Sequence, residues 1–310
     1  MHPHYSPITN TGNTNLLPSV YTSLVKLNFD ESRIKALIDN YVAQCEIKDL
    51  NSVYFIANDF ETHYMKRLDF FNERAEQQTI GEVVGNYLKD KKRTLSSANF
   101  LALNRLGAAV IEGKTERIIH ALAYYDCVTT ELKISGMPIA LGDARKRFIA
   151  LMQHRRLIKG LSRADEISEK IRIIIQHQDS LLDLAEIDDI VQAEYTMLET
   201  FAEWYLMTED VHVLHVLLGF YGLLSIKDYL DDFAEWLREF WLHAQVYSLM
   251  TKKSLLWKKV DIVVWDDLLK GIYEVDDFIK IMLFGAVYDL NQTYKLEFLR
   301  RIAQTIVEQP

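Results

Sequence analysis

The chain has 310 residues, of which 49% are hydrophobic, and it carries a formal net charge of −9. This length and apolar content predict a substantial globular core, and the acidic balance excludes the broad basic face that nucleic-acid binding requires. The longest apolar run, residues 211–226, is shorter than the roughly 20 residues that cross a bilayer, so we expect no membrane partner.

The first 13 residues are polar, with neither the basic start nor the apolar stretch of a secretory signal. They predict a polar N-terminal tail, followed by one domain over residues 14–310. Cys45 and Cys127 are the only cysteines, and neither lies in a CxxC motif. We therefore expect reduced thiols and a cytoplasmic protein.

Proline is nearly absent from the body of the chain, and the tracts 19–137 and 139–309 contain none. Within them apolar residues recur every three or four positions, which predicts helices. Asp30 stands where a helix would be capped and Gly113 where one would stop. The pattern predicts an all-α fold, a single domain of about a dozen helices with a looser junction at 133–144.

The stretch VHVLHVLLGFYGLL, residues 211–224, predicts a helix that is apolar on every side and therefore buried at the centre of the domain. It contains His212 and His215, three positions apart and so on one flank. A buried imidazole without a partner costs about 1–3 kcal/mol. Each histidine is therefore either a hydrogen-bonded core residue or part of a functional site.

Metal-dependent chemistry is poorly matched by the sequence. Glu116 with His120 and Glu239 with His243 have a spacing of four, where di-metal carboxylate bundles use Glu-x-x-His with a spacing of three. The acidic motif DDFAE at 231–235 is similar to a magnesium motif of terpene synthases, but the second motif of such enzymes is missing. We expect no metal site.

Four segments of the chain are, in order, RLDFFNERAEQQTIGEVVGNYLKD, ANFLALNRLGAAVIEGKTERIIHALAYY, DVHVLHVLLGFYGLL and DDFIKIMLFGAVYDLNQTYKLEFLRRIA. Together they resemble the questin oxidase-like family, and the resemblance extends from residue 14 over nearly the whole chain. Named members of that family are helical oxidoreductases that open or oxidise aromatic polyketide rings.

The chain departs from the family pattern mainly by losing histidines. Leu16, Leu101, Tyr221 and Asp277 occupy positions where the pattern has histidine, and only His215 is kept. Leucine supplies no ligand atom, so the family's histidine cluster is not expected to hold a metal here.

The resemblance implies three catalytic residues that line one mainly apolar cavity. His215 would act as a base, Arg105 would hold an anion and Lys280 would serve as a second acid or base. The residues predicted to contact the ligand are Tyr221, His212, Asp277 and Phe100.

Two function classes remain open from the sequence. One is an oxidoreductase acting on an aromatic or polyketide-like small molecule; the other is a non-catalytic helical member that binds a ligand or a protein partner. The family resemblance allows NADPH as cofactor, although the chain has no dinucleotide fingerprint. A small-molecule ligand is expected in either case, and a homo-oligomer is left open.

Overall fold

The structure, a computed structural model, describes residues 5–52, 57–152, 160–161, 163–251 and 263–308. Helix accounts for 72% of these residues, which confirms the all-α prediction. The described α-helices are α1 (Leu17–Lys26), α2 (Glu31–Cys45), α3 (Asp59–Gln77), α4 (Ile80–Leu88), α5 (Leu101–Glu112), α6 (Thr115–Val128), α7 (Leu141–Met152), α8 (Ile167–Gln176), α9 (Gln178–Leu181), α10 (Ile190–Thr208), α11 (Val211–Ser225), α12 (Phe233–Leu249), α13 (Trp265–Gly271), α14 (Phe278–Tyr294) and α15 (Glu297–Glu308). Three 3-10 turns are Lys92–Thr94, Lys227–Tyr229 and Ile272–Glu274.

Helix ends follow the local chemistry of the sequence. The Asp30 side chain accepts a hydrogen bond from the Arg33 amide at 2.8 Å, as predicted for an N-cap. Gly113 ends α5 in the left-handed conformation, with φ of 69°, which costs a glycine nothing. These boundaries are set by short-range interactions.

Helices α5 and α11 cross at the centre of the domain, and α11 is buried from Val213 to Leu214 and from Val216 to Leu223. Their backbones meet at Gly107 and Gly222, where an added Cβ on Gly107 would lie 2.6 Å from the Gly222 Cα. Helix α5 also packs against α1 and α6, and α11 packs against α10, α12 and α14. The predicted buried central helix is confirmed.

The predicted junction at 133–144 contains a short strand that the sequence analysis did not anticipate. Strand β1 (Met137–Ala140) pairs in parallel with β2 (Asp183–Glu186). Gly136 allows the approach, because a Cβ there would lie 2.7 Å from the Leu184 amide nitrogen. The strands arise from this long-range pairing and not from a local alternation of apolar residues.

Residues 5–9 of the predicted polar tail are docked against the domain. Ser6 is fully buried, and its hydroxyl donates to the Glu61 carboxylate at 3.0 Å. The Asn15 amide nitrogen donates to the Ser6 carbonyl at 2.8 Å. The tail prediction is therefore corrected for residues 5–9, while 10–13 are exposed and the first four residues lie outside the described part.

One apolar core extends over the described chain from Val20 to Ile306, in keeping with a single helical body. Among the described helices, none has both the length and the apolar character required to cross a membrane.

Candidate functional site

A pocket opens where α1, α5 and α6 meet the docked N-terminal segment. Its cavity volume is about 20 Å³, and the space enclosed together with the open mouth is about 440 Å³. This is enough for a small group and less than a drug-sized ligand requires. Its lining residues are Tyr5, Asn15, Leu17, Pro18, Thr22, Arg105, Ala109, Glu112, Arg117, His120 and Ala121.

Arg105, on α5, is the most unusual residue of this pocket. Its side chain is buried, with 5% of the residue exposed, and Nη1 has no hydrogen-bond partner among the described residues. No described carboxylate forms an ion pair with it. Burial lowers the pKa of the guanidinium, but an arginine remains protonated at neutral pH. The pocket thus contains a buried cation without a counter-ion in the described part of the chain.

Tyrosines surround the guanidinium without neutralising it. The Tyr124 ring centroid lies 4.8 Å from the Arg105 Cζ, and Tyr41 and Tyr64 are close enough to act on Arg105 electrostatically. Burial raises the pKa of Tyr41 and of Tyr64 to about 12 and also raises the pKa of Tyr124. The three phenols are therefore uncharged at neutral pH, so none of them balances the arginine.

The remaining charged and polar groups leave the pocket positive. Arg117 Nε lies 3.4 Å from the Glu112 Oε2, so this second arginine already has a carboxylate. His120 Nδ1 shares a 2.7 Å hydrogen bond with the Tyr64 hydroxyl. Among the lining residues that the structure describes, two guanidinium groups and one carboxylate sum to a formal charge of +1 with His120 uncharged. That charge favours an anion.

No protein-family model and no curated protein matches this chain. The function must therefore be argued from the chemistry of the site.

The pocket that contains Arg105 is not lined by the other two residues predicted to act with it. Arg105 lines the pocket, whereas neither His215 nor Lys280 is among its lining residues. His215 lies within α11 and is half-buried, and Lys280 is partly exposed in the first turn of α14. Of the predicted catalytic residues, Arg105 alone contributes to this pocket.

The residues predicted to bind the ligand have other roles in the fold. Phe100 is fully buried and packs against Gly219 at the start of α5. Asp277 caps α14 by accepting hydrogen bonds from the Ile279 and Lys280 amides. His212 lies in the first turn of α11, half-buried, and its backbone amide donates to Asp210. None of these residues is in the lining of the Arg105 pocket.

Tyr221 lies in a polar triad with Lys26 and Asp289. Its hydroxyl donates to the Asp289 carboxylate at 2.7 Å and accepts from Lys26 Nζ at 3.0 Å. It lines a second pocket together with Asn104. Tyr221 therefore contacts a cavity, but not the one that contains Arg105.

Sequence reasoning missed most of the pocket. His120 was considered only as a metal ligand, and Arg117 and Glu112 carry no motif. Asn15 and Pro18, which are close to Leu16 in the sequence, line the same pocket as Arg105. In the described part of the chain, no group of three or more His, Cys, Asp or Glu side chains is arranged to hold a metal ion.

The two histidines of α11 share an unmet hydrogen-bonding requirement. Nδ1 of His212 and Nδ1 of His215 are both buried and have no partner within the described ranges. Burial, and secondarily the proximity of His212, lower the pKa of His215 to about 4. The His215 imidazole is therefore neutral at neutral pH.

This pKa predicts a loss of stability in acid. An unfolded histidine takes up a proton below about pH 6.5, whereas folded His215 stays neutral down to about pH 4. Between these values the unfolded state binds more protons, so the free energy of unfolding falls as pH falls, by at most about 1.4 kcal/mol per pH unit per histidine.

We expect His215→Leu to flatten this dependence in urea unfolding at pH 7, 6 and 5. His63→Leu, at an exposed position of α3, should leave the slope unchanged. An unaltered slope in His215→Leu would contradict the assignment.

Proposed function

We propose that this protein binds a small organic anion, with the anionic group seated on Arg105. The observation that carries the proposal is a guanidinium that is 5% exposed, lines a pocket and presents a partnerless Nη1 within the described part of the molecule. A carboxylate is the complementary group, because its two oxygens match the planar donor pattern of arginine.

The free-energy cost of burying the Arg105 charge supports a role for this residue in ligand binding. A buried charge without a partner costs several kcal/mol, and a bound anion would offset that cost. The Tyr124 ring compensates only in part, because a stacked ring supplies no hydrogen bond to Nη1.

The size of the pocket restricts the ligand. Because its cavity volume is about 20 Å³, the pocket suits a carboxylate on a short chain and not a multi-ring system. This favours the ligand-binding class over an oxidoreductase acting on large aromatic polyketides.

Calorimetric titration with matched acid and amide pairs tests the proposal. Acetate and propionate should bind, and acetamide and propionamide, similar in shape but uncharged, should not. The buffer should be free of carboxylate and phosphate, and added salt should weaken the binding. Equal heats for acids and amides, or no heat from either, would count against the proposed function.

One observation supports an oxidoreductase as the second candidate. His120 lines the same pocket and is hydrogen-bonded to Tyr64, and its imidazole would be the group that accepts a proton from a phenol held beside Arg105. Oxygen uptake with 4-hydroxybenzoate, with and without NADPH, tests this candidate. Binding of that acid without any turnover would leave ligand binding as the function.

A further inference from the structure

Asn104, the residue before Arg105 on α5, has a buried amide oxygen to which no described group donates a hydrogen bond. It is 3% exposed, and its Nδ2 donates to the Leu218 carbonyl at 3.1 Å. This bond fixes the amide orientation, because a carbonyl only accepts. Oδ1 has no partner in the described ranges. Buried amide oxygens are usually satisfied, so this one indicates a missing donor.

Asn104 lines a second pocket that adjoins the first. The second pocket has a cavity volume of about 10 Å³, and the space enclosed together with its mouth is about 250 Å³. Thr22 is in the lining of both pockets, so the two lie on either side of one residue. Consecutive helical residues point about 100° apart, which is how Asn104 and Arg105 reach neighbouring compartments.

The charges of the second pocket favour a neutral donor over an ammonium group. Lys26 lines it, and its charge is balanced by Asp289, which the Tyr221 hydroxyl also contacts. A ligand ammonium would add a second cation next to Lys26, and the described lining residues include no carboxylate to balance it. A hydroxyl donates one hydrogen bond to Asn104 Oδ1 without that repulsion.

We propose, on the basis of the function proposed above, that the ligand is a short hydroxy-carboxylate whose carboxylate contacts Arg105 and whose hydroxyl donates to Asn104 Oδ1. Both unmet groups on α5, a donor and an acceptor on adjacent residues, are then satisfied by one molecule that passes Thr22.

Titration of the wild-type protein with matched acids tests this without any mutation. The pairs are propionate with 2-hydroxypropionate, and butyrate with 3-hydroxybutyrate and 4-hydroxybutyrate. At least one hydroxy acid should bind roughly threefold to tenfold more tightly than its parent acid, the effect of one neutral hydrogen bond. If no hydroxy acid exceeds its parent while the parents still bind, this inference is overturned and the proposed function stands. If none of the acids binds, both are overturned.

Asn104→Leu locates the hydroxyl. In this variant the affinity of each hydroxy acid relative to its parent acid should fall to about one, because any loss caused by a shift of α5 is shared by both acids. An advantage that persists in a helical Asn104→Leu would place the hydroxyl elsewhere and overturn the inference. Should circular dichroism show that this variant does not fold, Asn104→Ala is the replacement, and the wild-type comparison remains decisive on its own.

Discussion

Arg105→Met is expected to weaken carboxylate binding by about 100-fold or more while leaving the protein at least as stable as wild type. A hundredfold corresponds to about 2.7 kcal/mol, within the range of charge-assisted hydrogen bonds lost from a buried site. Methionine fills similar space and removes a buried cation that has no ion-pair partner in the described chain, so the melting temperature should hold or rise.

Arg145→Met is the matched control for this experiment. Arg145 bridges α7 and α10 through ion pairs with Glu199 and Glu203, at 2.5 and 2.8 Å. Its loss should lower stability modestly and leave carboxylate binding unchanged. The opposite pattern, in which Arg105→Met melts several degrees lower and still binds acids, would show that Arg105 serves the fold through its stacking on Tyr124 and not a ligand.

Gly222→Ala is expected to lower the free energy of unfolding by about 2–3 kcal/mol, at the upper end of overpacking effects. The new Cβ would lie 2.6 Å from the Leu103 carbonyl oxygen and 2.8 Å from the Asn104 Cα. Both are backbone atoms, so no side-chain rotation relieves the contact and α5 must move away from α11. Since α5 carries Asn104 and Arg105, ligand affinity should fall together with stability. Urea unfolding measures the first effect and calorimetric titration the second.

Gly142→Ala provides the control for an alanine introduced into a helix. Gly142 is the second residue of α7, and apart from its chain neighbours and its own helix backbone no described atom lies within 4 Å of the position its Cβ would take. Helix propensity then predicts a gain of up to about 1 kcal/mol and unchanged affinity. A Gly222→Ala protein as stable as wild type would mean that α5 and α11 do not pack as closely as described.

The sequence by itself determined the features that depend on neighbouring residues. The absence of proline from 19–137 and 139–309 and the three-to-four spacing of apolar residues predicted the helices, because helical hydrogen bonds join residues four apart. The cap at Asp30 and the stop at Gly113 follow from contacts within one turn. The burial of α11 followed from a surface that is apolar on every side, since such a helix has no face suited to water.

Only the tertiary structure decided which groups meet. Arg105 and Lys280 both stand in apolar stretches, yet one is buried beside the pocket and the other lies partly exposed at the start of α14. The parallel pairing of β1 with β2 and the docking of residues 5–9 likewise depend on partners over 40 residues away. Apolar spacing shows which face of a helix turns inward, but not which helix it meets. The pocket is formed by α1, α5 and α6, so its charge and a guanidinium without a described counter-ion arise only once those helices have packed together.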